Sequence, residues 1–249
     1  MTLSIKHIDS KFKNKNKPKV GLIALSTDQT IEGDFNTICK NLPLDIFVNR
    51  IHNQNPLTKE NLLKMEEDLE SVANKILPDE KINTIAYGCT SGTIAIGENQ
   101  VKEKILSAKP GCYVTTPITS AMKAFQQMNI KKIALFTPYP DAVNKTILEY
   151  FTKKNIEVSS FASLNLNLDS EFANVDPNYI LEISSKLETK NADALFISCT
   201  ALPVLNILDK LEQTIKKPVL SSNQTLIWDT IRSIGYKSPI KGYGKLLEN

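Results

Sequence analysis

Two cysteines sit in matching contexts, Ile85-Ala86-Tyr87-Gly88-Cys89-Thr90-Ser91-Gly92-Thr93 and Ala194-Leu195-Phe196-Ile197-Ser198-Cys199-Thr200-Ala201-Leu202-Pro203. Each context reads as a short buried strand, then Cys-Thr, then a helix start. In open α/β sheets ligands bind beyond the carboxyl ends of the strands, so both thiols are expected where chemistry is normally placed. A free thiol ionises near pH ~8.5, and a helix N-terminus lowers that value. A thiolate and a thiol on opposite faces of one carbon are a base and an acid, the arrangement that racemisation or proton-shuttling isomerisation requires. If Cys89 instead adds to an electrophilic alkene, it is a covalent nucleophile and Cys199 protonates the neighbouring carbon. Neither scheme uses a metal or cofactor, and none is expected. The small residues Thr90, Ser91, Gly92 and Thr93 let backbone N–H groups and hydroxyls approach an anion, and Thr200 with Ala201 form a thinner cradle of the same kind. A small carboxylate suits such a site. Cys39, inside an expected helix, and Cys112, beside a strand start, read as small core residues.

These thiols need a sheet to hold them. Short runs rich in Ile, Val, Leu and Phe alternate with longer amphipathic stretches, the signal for βα units and parallel sheets. Strands are expected near 19–25, 44–48, 82–87, 112–115, 132–136, 157–162, 193–198 and 217–220. Helices are expected near 31–41, 57–76, 92–107, 117–129, 140–154, 177–189, 202–215 and 222–233. Thr58 and Asp176-Pro177 read as helix caps. The chain also repeats itself. Lys19-Val20-Gly21-Leu22-Ile23-Ala24 matches Lys132-Ile133-Ala134-Leu135-Phe136-Thr137 at an offset of 132 − 19 = 113, and the cysteines are offset by 199 − 89 = 110. The expected fold is therefore α/β, with two similar Rossmann-like lobes related by a pseudo-two-fold and a site in the cleft between them. Residues 1–116 plus 221–249 would form the first lobe and 117–220 the second, the last helix returning to the first.

Composition bounds the function. The 249 residues suffice for a sizeable core, and 41% hydrophobic with 23% charged residues is a globular balance. With 30 basic against 27 acidic residues, spread along the chain, nucleic acid is not an expected partner. The lysines from Lys6 to Lys19 read as a solvated lead-in. No apolar stretch reaches the ~18 residues of a membrane span, and no signal-peptide core follows the lysines, so no membrane association and a cytoplasmic location are expected. Four cysteines without a C-x-x-C pair, and only His7 and His52, give no zinc spacing. The expected partner is the substrate itself; a homo-oligomer is left open.

The motifs "YGCTSGT", "ISCTALP", "TPY" (Thr137-Pro138-Tyr139) and "LSTDQTIEGDF" resemble the aspartate/glutamate racemase superfamily. Within it they resemble the branch of maleate cis-trans isomerase, arylmalonate decarboxylase and the decarboxylase-like ectoine-utilisation protein. The resemblance implies that Cys89 attacks the double bond to give a succinyl thioether, that Cys199 is the acid, and that Tyr139 supports the anionic intermediate. Arylmalonate decarboxylases keep only the second cysteine, so the two-thiol chemistries are favoured. Maleate isomerases bind a substrate carboxylate through an asparagine where this chain aligns Asp28, and an aspartate repels a carboxylate unless protonated or facing an ammonium group. That position fits the ectoine-utilisation pattern "TD-x-T-x-E" better. A second family asparagine, in the loop after the sixth strand, is not matched to a particular one of Asn165, Asn167 and Asp169.

The reading is a cofactor-independent isomerase or racemase of small carboxylates. Cys89, Cys199 and Tyr139 are the expected catalytic residues; Asp28, Thr90, Ser91, Thr200 and Ala201 are the expected substrate-binding residues. Its rivals are a malonate-type decarboxylase using Cys199 alone, a two-lobed carboxylate-binding protein without turnover, and a redox pair. Asp28 could equally cap the helix that follows it. Arg50 and His52 read as solvated loop residues, and Trp228 as core.

Overall fold

The computed structural model describes residues 5–12 and 17–248. Lys13 and Lys15 of the basic lead-in lie outside the described residues, and residues 5–12 are exposed without regular structure. The first half runs β1 (Lys19–Leu25), α1 (Ile31–Cys39), β2 (Asp45–Ile51), α2 (Lys59–Asn74), β3 (Thr84–Tyr87), α3 (Thr90–Ile96), α4 (Glu98–Ala108), β4 (Tyr113–Thr115) and α5 (Pro117–Gln127). The second half runs β5 (Lys132–Thr137), α6 (Asp141–Lys153), β6 (Glu157–Ser163), α7 (Asp169–Ala173), α8 (Pro177–Ser185), β7 (Ala194–Ile197), a 3-10 turn (Leu205–Ile207), α9 (Leu208–Ile215), β8 (Val219–Ser221) and α10 (Ser222–Ser233). A short α11 (Lys245–Glu248) follows.

Two four-stranded sheets result, ordered β2-β1-β3-β4 and β6-β5-β7-β8. All pairings are parallel. The orders superimpose when each strand of the first half is matched with the strand four places later, so the fold carries the repeat in its topology as well as in its sequence. In both sheets the two central strands are buried throughout: β3 and β7 expose no residue, and the apolar stretches of β1 and β5 are enclosed. Their near-continuous hydrophobic character follows from helices covering both faces.

The expected caps are present. Thr58 accepts the Asn61 N–H at 3.2 Å, and Asp176 accepts the Asn178 N–H at 2.8 Å with Pro177 at the first helical position. Two expected helices differ. The single helix over 92–107 is two helices, broken at Gly97, whose φ of +104° is a left-handed conformation that a residue with a Cβ rarely takes. The helix expected from 202 begins only at Leu208, after a loop and the 3-10 turn.

Helices α5 and α10 pack on each other and cross between the sheets. Phe125 of α5 meets Phe196 of β7 edge-on, ring centroids 5.4 Å apart. In exchange, Ser233 of α10 hydrogen-bonds Thr84 of β3 at 2.7 Å, and Asp229 accepts from Tyr113 of β4 at 2.9 Å. Each sheet is thus covered by a helix that leaves the other, which holds the strand ends of the two halves together.

Candidate active site

The loops after β1, β3, β5 and β7 converge. Thr200, after β7, donates its hydroxyl to the Gly88 carbonyl after β3 at 3.3 Å, and Thr30, after β1, donates to the Ala201 carbonyl at 2.8 Å. These bonds bring the two Cys-Thr segments together in space. Cys89 and Cys199 are both buried, 2% and 3% exposed.

Each sulfur has a tyrosine. The Tyr139 hydroxyl donates to the Cys199 sulfur and also lies within the electrostatic reach of Cys89. Tyr87, fully buried in β3, turns its hydroxyl toward the Cys89 sulfur, with the Met65 sulfur 3.6 Å away. Backbone completes the surroundings. Cys89 is the N-cap of α3 and accepts the Gly92 N–H at 3.2 Å, with the Ser91 hydroxyl 3.9 Å from its sulfur. Cys199 accepts the Ala201 N–H at 3.4 Å. The expectation that a helix N-terminus acidifies both thiols is corrected. For Cys199 no helix starts there, and for Cys89 loss of water outweighs the cap: burial pushes its thiol up to about 12 despite the Gly92 N–H. Burial likewise pushes the Cys199 thiol well up, against the Tyr139 and Ala201 hydrogen bonds. Both thiols are neutral in this closed arrangement.

Two carboxyls face both sulfurs. Asp28 and Asp169 each raise the ionisation point of Cys89 and Cys199 electrostatically. Asp28 Oδ1 accepts the N–H groups of Thr30 and Ile31 at 2.7 and 2.9 Å, so it does cap α1. Asp169, at the start of α7, accepts the Asn53 side-chain N–H at 3.0 Å and the Thr27 hydroxyl, both from the first half of the chain. Burial raises both carboxyls above the usual carboxylate range. Of the three positions considered for the second asparagine, Asp169 is the one beside the thiols. It rides on a helix of five residues, too short to show periodicity.

The remaining expected binding residues are close but partly engaged. The Thr90 hydroxyl shares a hydrogen bond with Ser222 of α10 at 2.9 Å, and that of Thr200 is spent on Gly88. Ser91 lines a narrow cavity of about 10 Å³ together with Lys59, Ile94, Val143 and Ile147, contributed by helices of both halves. Arg50, at the end of β2, is a fastener: its guanidinium donates to the Leu25 and Asp28 carbonyls at 3.0 and 2.8 Å and pairs with Glu32 at 2.5 Å, which shapes the loop carrying Asp28. His52 is exposed, and Trp228 is buried. Tyr87 is the functional neighbour that sequence reasoning missed, because a tyrosine inside an apolar strand reads as core. Among the described residues no group of three or more potential metal ligands occurs, and no helix is long and apolar enough to cross a membrane.

Two buried thiols at equivalent strand ends, in a duplicated parallel α/β scaffold, define a class. The arylmalonate decarboxylase family profile matches residues 57–247, and the chain belongs to that family. It is similar to a maleate isomerase of Geobacillus stearothermophilus, 27% identical over 245 residues that span 92% of this chain and 96% of that protein. Its fold is similar to the crystal structure of the maleate isomerase Iso from Pseudomonas putida S16, with a TM-score of 0.86, 21% identity and coverage of 94% of this chain and 99% of that one. It is equally similar, at a TM-score of 0.86, 19% identity and coverage of 94% and 99%, to a cysteine-to-serine mutant of Nocardia farcinica maleate cis-trans isomerase that holds a covalently bound succinylcysteine intermediate.

Proposed function

We propose that this protein is a cofactor-independent isomerase or racemase of small carboxylic acids, in which Cys89 is nucleophile or base and Cys199 the opposing acid. The observation that carries the reading is the shared surroundings of the thiols. Both end equivalent central strands, both meet a tyrosine hydroxyl, and both face Asp28 and Asp169. The similarity to maleate isomerases, one of them trapped as a succinylcysteine, supports it.

In the isomerase form the Cys89 thiolate adds to one alkene carbon, making a C–S bond. The Cys199 thiol gives its proton to the neighbouring carbon, and the former double bond rotates as a single bond. Return of that proton to Cys199 expels Cys89 and restores the alkene with the opposite geometry. In the racemase form one thiolate removes the α-proton while the other thiol delivers a proton to the opposite face. Tyr139 stabilises the thiolate of Cys199 through its hydroxyl. Ser91, Thr90, Thr200 and Ala201 surround the carboxylate. Both thiols are sealed from water, so ligand entry requires the halves to part, and closure around the ligand excludes water from the carbanionic intermediate.

The division into 1–116 plus 221–249 and 117–220 suits this reading, since α10 packs on β3 and β4 while α5 reaches β7. A cytoplasmic setting also suits it, because thiols stay reduced there.

Incubation with a panel of small mono- and dicarboxylates in deuterated buffer, followed by proton NMR, tests the proposal. Loss of an α-proton signal or a shifted vinyl signal supports it. Loss of carbon dioxide from malonate-type acids, with neither of those, would assign the family's decarboxylation instead.

A further inference from the structure

The two thiols are held by unlike means. Cys89 caps α3, so its backbone is fixed by its own helix: its carbonyl accepts the Thr93 N–H and hydroxyl at 3.2 and 2.6 Å, and its sulfur accepts the Gly92 N–H. Cys199 opens no helix, since the first helical turn after it starts at Leu205. The buried loop that carries it therefore takes its partners from elsewhere in the chain. Thr30 donates to the Ala201 carbonyl, the Thr200 hydroxyl reaches the Gly88 carbonyl, and the buried side chain of Asn223, on α10, donates to the Thr200 carbonyl at 2.7 Å.

The last of these bonds acts directly behind the sulfur. The Thr200 carbonyl and the Ala201 N–H belong to one planar peptide unit. Asn223 grips the oxygen of that unit, and its N–H donates to the Cys199 sulfur at 3.4 Å. Fixing the carbonyl thus aims the donor at the thiol. Asn223 is itself held by Asp34 of α1, whose Oδ2 accepts the amide at 2.8 Å, while Asn223 Oδ1 has no partner among the described residues. The amide is oriented through its donors alone, and turning it over would set its oxygen against a carbonyl and a carboxyl.

Packing alone does not ask for an amide at this position. Helices α5 and α10 begin alike, with capping boxes of Thr116 with Thr119 and of Ser221 with Gln224. Matching these caps across the repeat sets the buried Ile118 in the place of Asn223. The half whose cysteine starts a helix carries isoleucine there, and the half whose cysteine does not carries the amide. We propose that Asn223, oriented by Asp34, is a positioning residue for Cys199, acting through the Thr200–Ala201 peptide to hold the sulfur against the ligand. The inference rests on the reading of Cys199 as the acid. When that thiol gives its proton to the substrate carbon, the Ala201 N–H is already aimed at the sulfur that takes the negative charge.

Asn223→Ala removes both donor bonds, and Asp34→Ala leaves the amide in place but frees it to turn. The buried thiols of Cys39, Cys89, Cys112 and Cys199 report where either variant loosens. The folded protein is treated with iodoacetamide, and the initial labelling rate of each cysteine is followed by peptide mass spectrometry, which needs no substrate. Cys199 is expected to label about tenfold faster, the rise in local opening that loss of one hydrogen bond brings, while the other three thiols keep their rates. On the carboxylate that the wild-type protein converts, kcat is expected to fall about tenfold or more with KM within about twofold. Should Asn223→Ala fail to fold, Asp34→Ala carries the test. Acceleration of all four thiols, of Cys89 as much as Cys199, or of none overturns the inference, as does an unchanged kcat. If the wild-type protein converts no carboxylate, the labelling pattern still decides whether Asn223 holds Cys199, and the proposed reaction fails by itself.

Discussion

The Tyr139 hydroxyl donates a hydrogen bond to the Cys199 sulfur, and Tyr87 stands toward Cys89 in the corresponding way. The correspondence is of function and not of position. Tyr87 lies within β3, two residues before its cysteine, whereas Tyr139 comes from the loop after β5, held there by bonds from Asn144 at 2.7 Å and Ser163 at 2.6 Å to its carbonyl. Each half supplies one thiol and one phenol by a different route.

Tyr139→Phe removes the donor and keeps the edge-on contact with Phe172, centroids 5.9 Å apart. A hydrogen bond to a charged sulfur is worth about 1.5–3 kcal/mol, so kcat should fall about 10- to 100-fold. The melting temperature should barely move. An unchanged kcat would reduce Tyr139 to a packing residue.

Gly92→Ala tests how tightly Cys89 is held. An added Cβ would stand 2.7 Å from the Cys89 sulfur, 2.7 Å from the Met65 methyl and 2.9 Å from the Tyr87 hydroxyl oxygen. Overpacking of this kind costs about 1–3 kcal/mol, measurable by urea denaturation. Turnover should fall as well, since the methyl displaces the thiol or its tyrosine. Full activity with native stability would show that this region yields more easily than its contacts imply.

Stability should depend on pH with a definite sign. Burial raises the Asp34 carboxyl from 3.8 to about 7, although it accepts from the Asn223 side chain at 2.8 Å. Asp28, Asp169 and Glu212 are raised in the same direction, by burial in each case. A group raised on folding contributes stability that is complete below its unfolded value and is lost as pH rises through its folded value. The melting temperature should therefore fall between about pH 4 and pH 7. Asp34→Asn should flatten that fall. A second loss is expected between 9 and about 12, where the buried thiols of Cys39 and Cys89 ionise. A melting temperature that rises from pH 5 to pH 7 would contradict the signs.

Much of this was legible in the residues. The apolar runs of β1, β3, β5 and β7 mark buried strands by composition alone, and the Cys-Thr repeat marks the ends that matter. What failed to show did so for physical reasons. A helix N-terminus is visible in sequence, but the depth of burial that overrides its effect on Cys89 is not. Gly97 sits inside an apparently continuous amphipathic stretch, and only its backbone angle reveals the break. Asp169 enters the site through tertiary bonds to Thr27 and Asn53, more than a hundred residues away in sequence.

The central claim is that the two thiols act together on one bound molecule. Its most direct test is turnover by Cys89→Ala and Cys199→Ala, each alone, on whichever carboxylate the wild-type protein converts in deuterated buffer. Both variants should keep the wild-type fold by circular dichroism and lose conversion by about three orders of magnitude or more, as expected when one of two cooperating groups is removed. Undiminished conversion by either variant would contradict the account, and survival of the Cys89 variant with release of carbon dioxide would assign the chemistry to Cys199 alone.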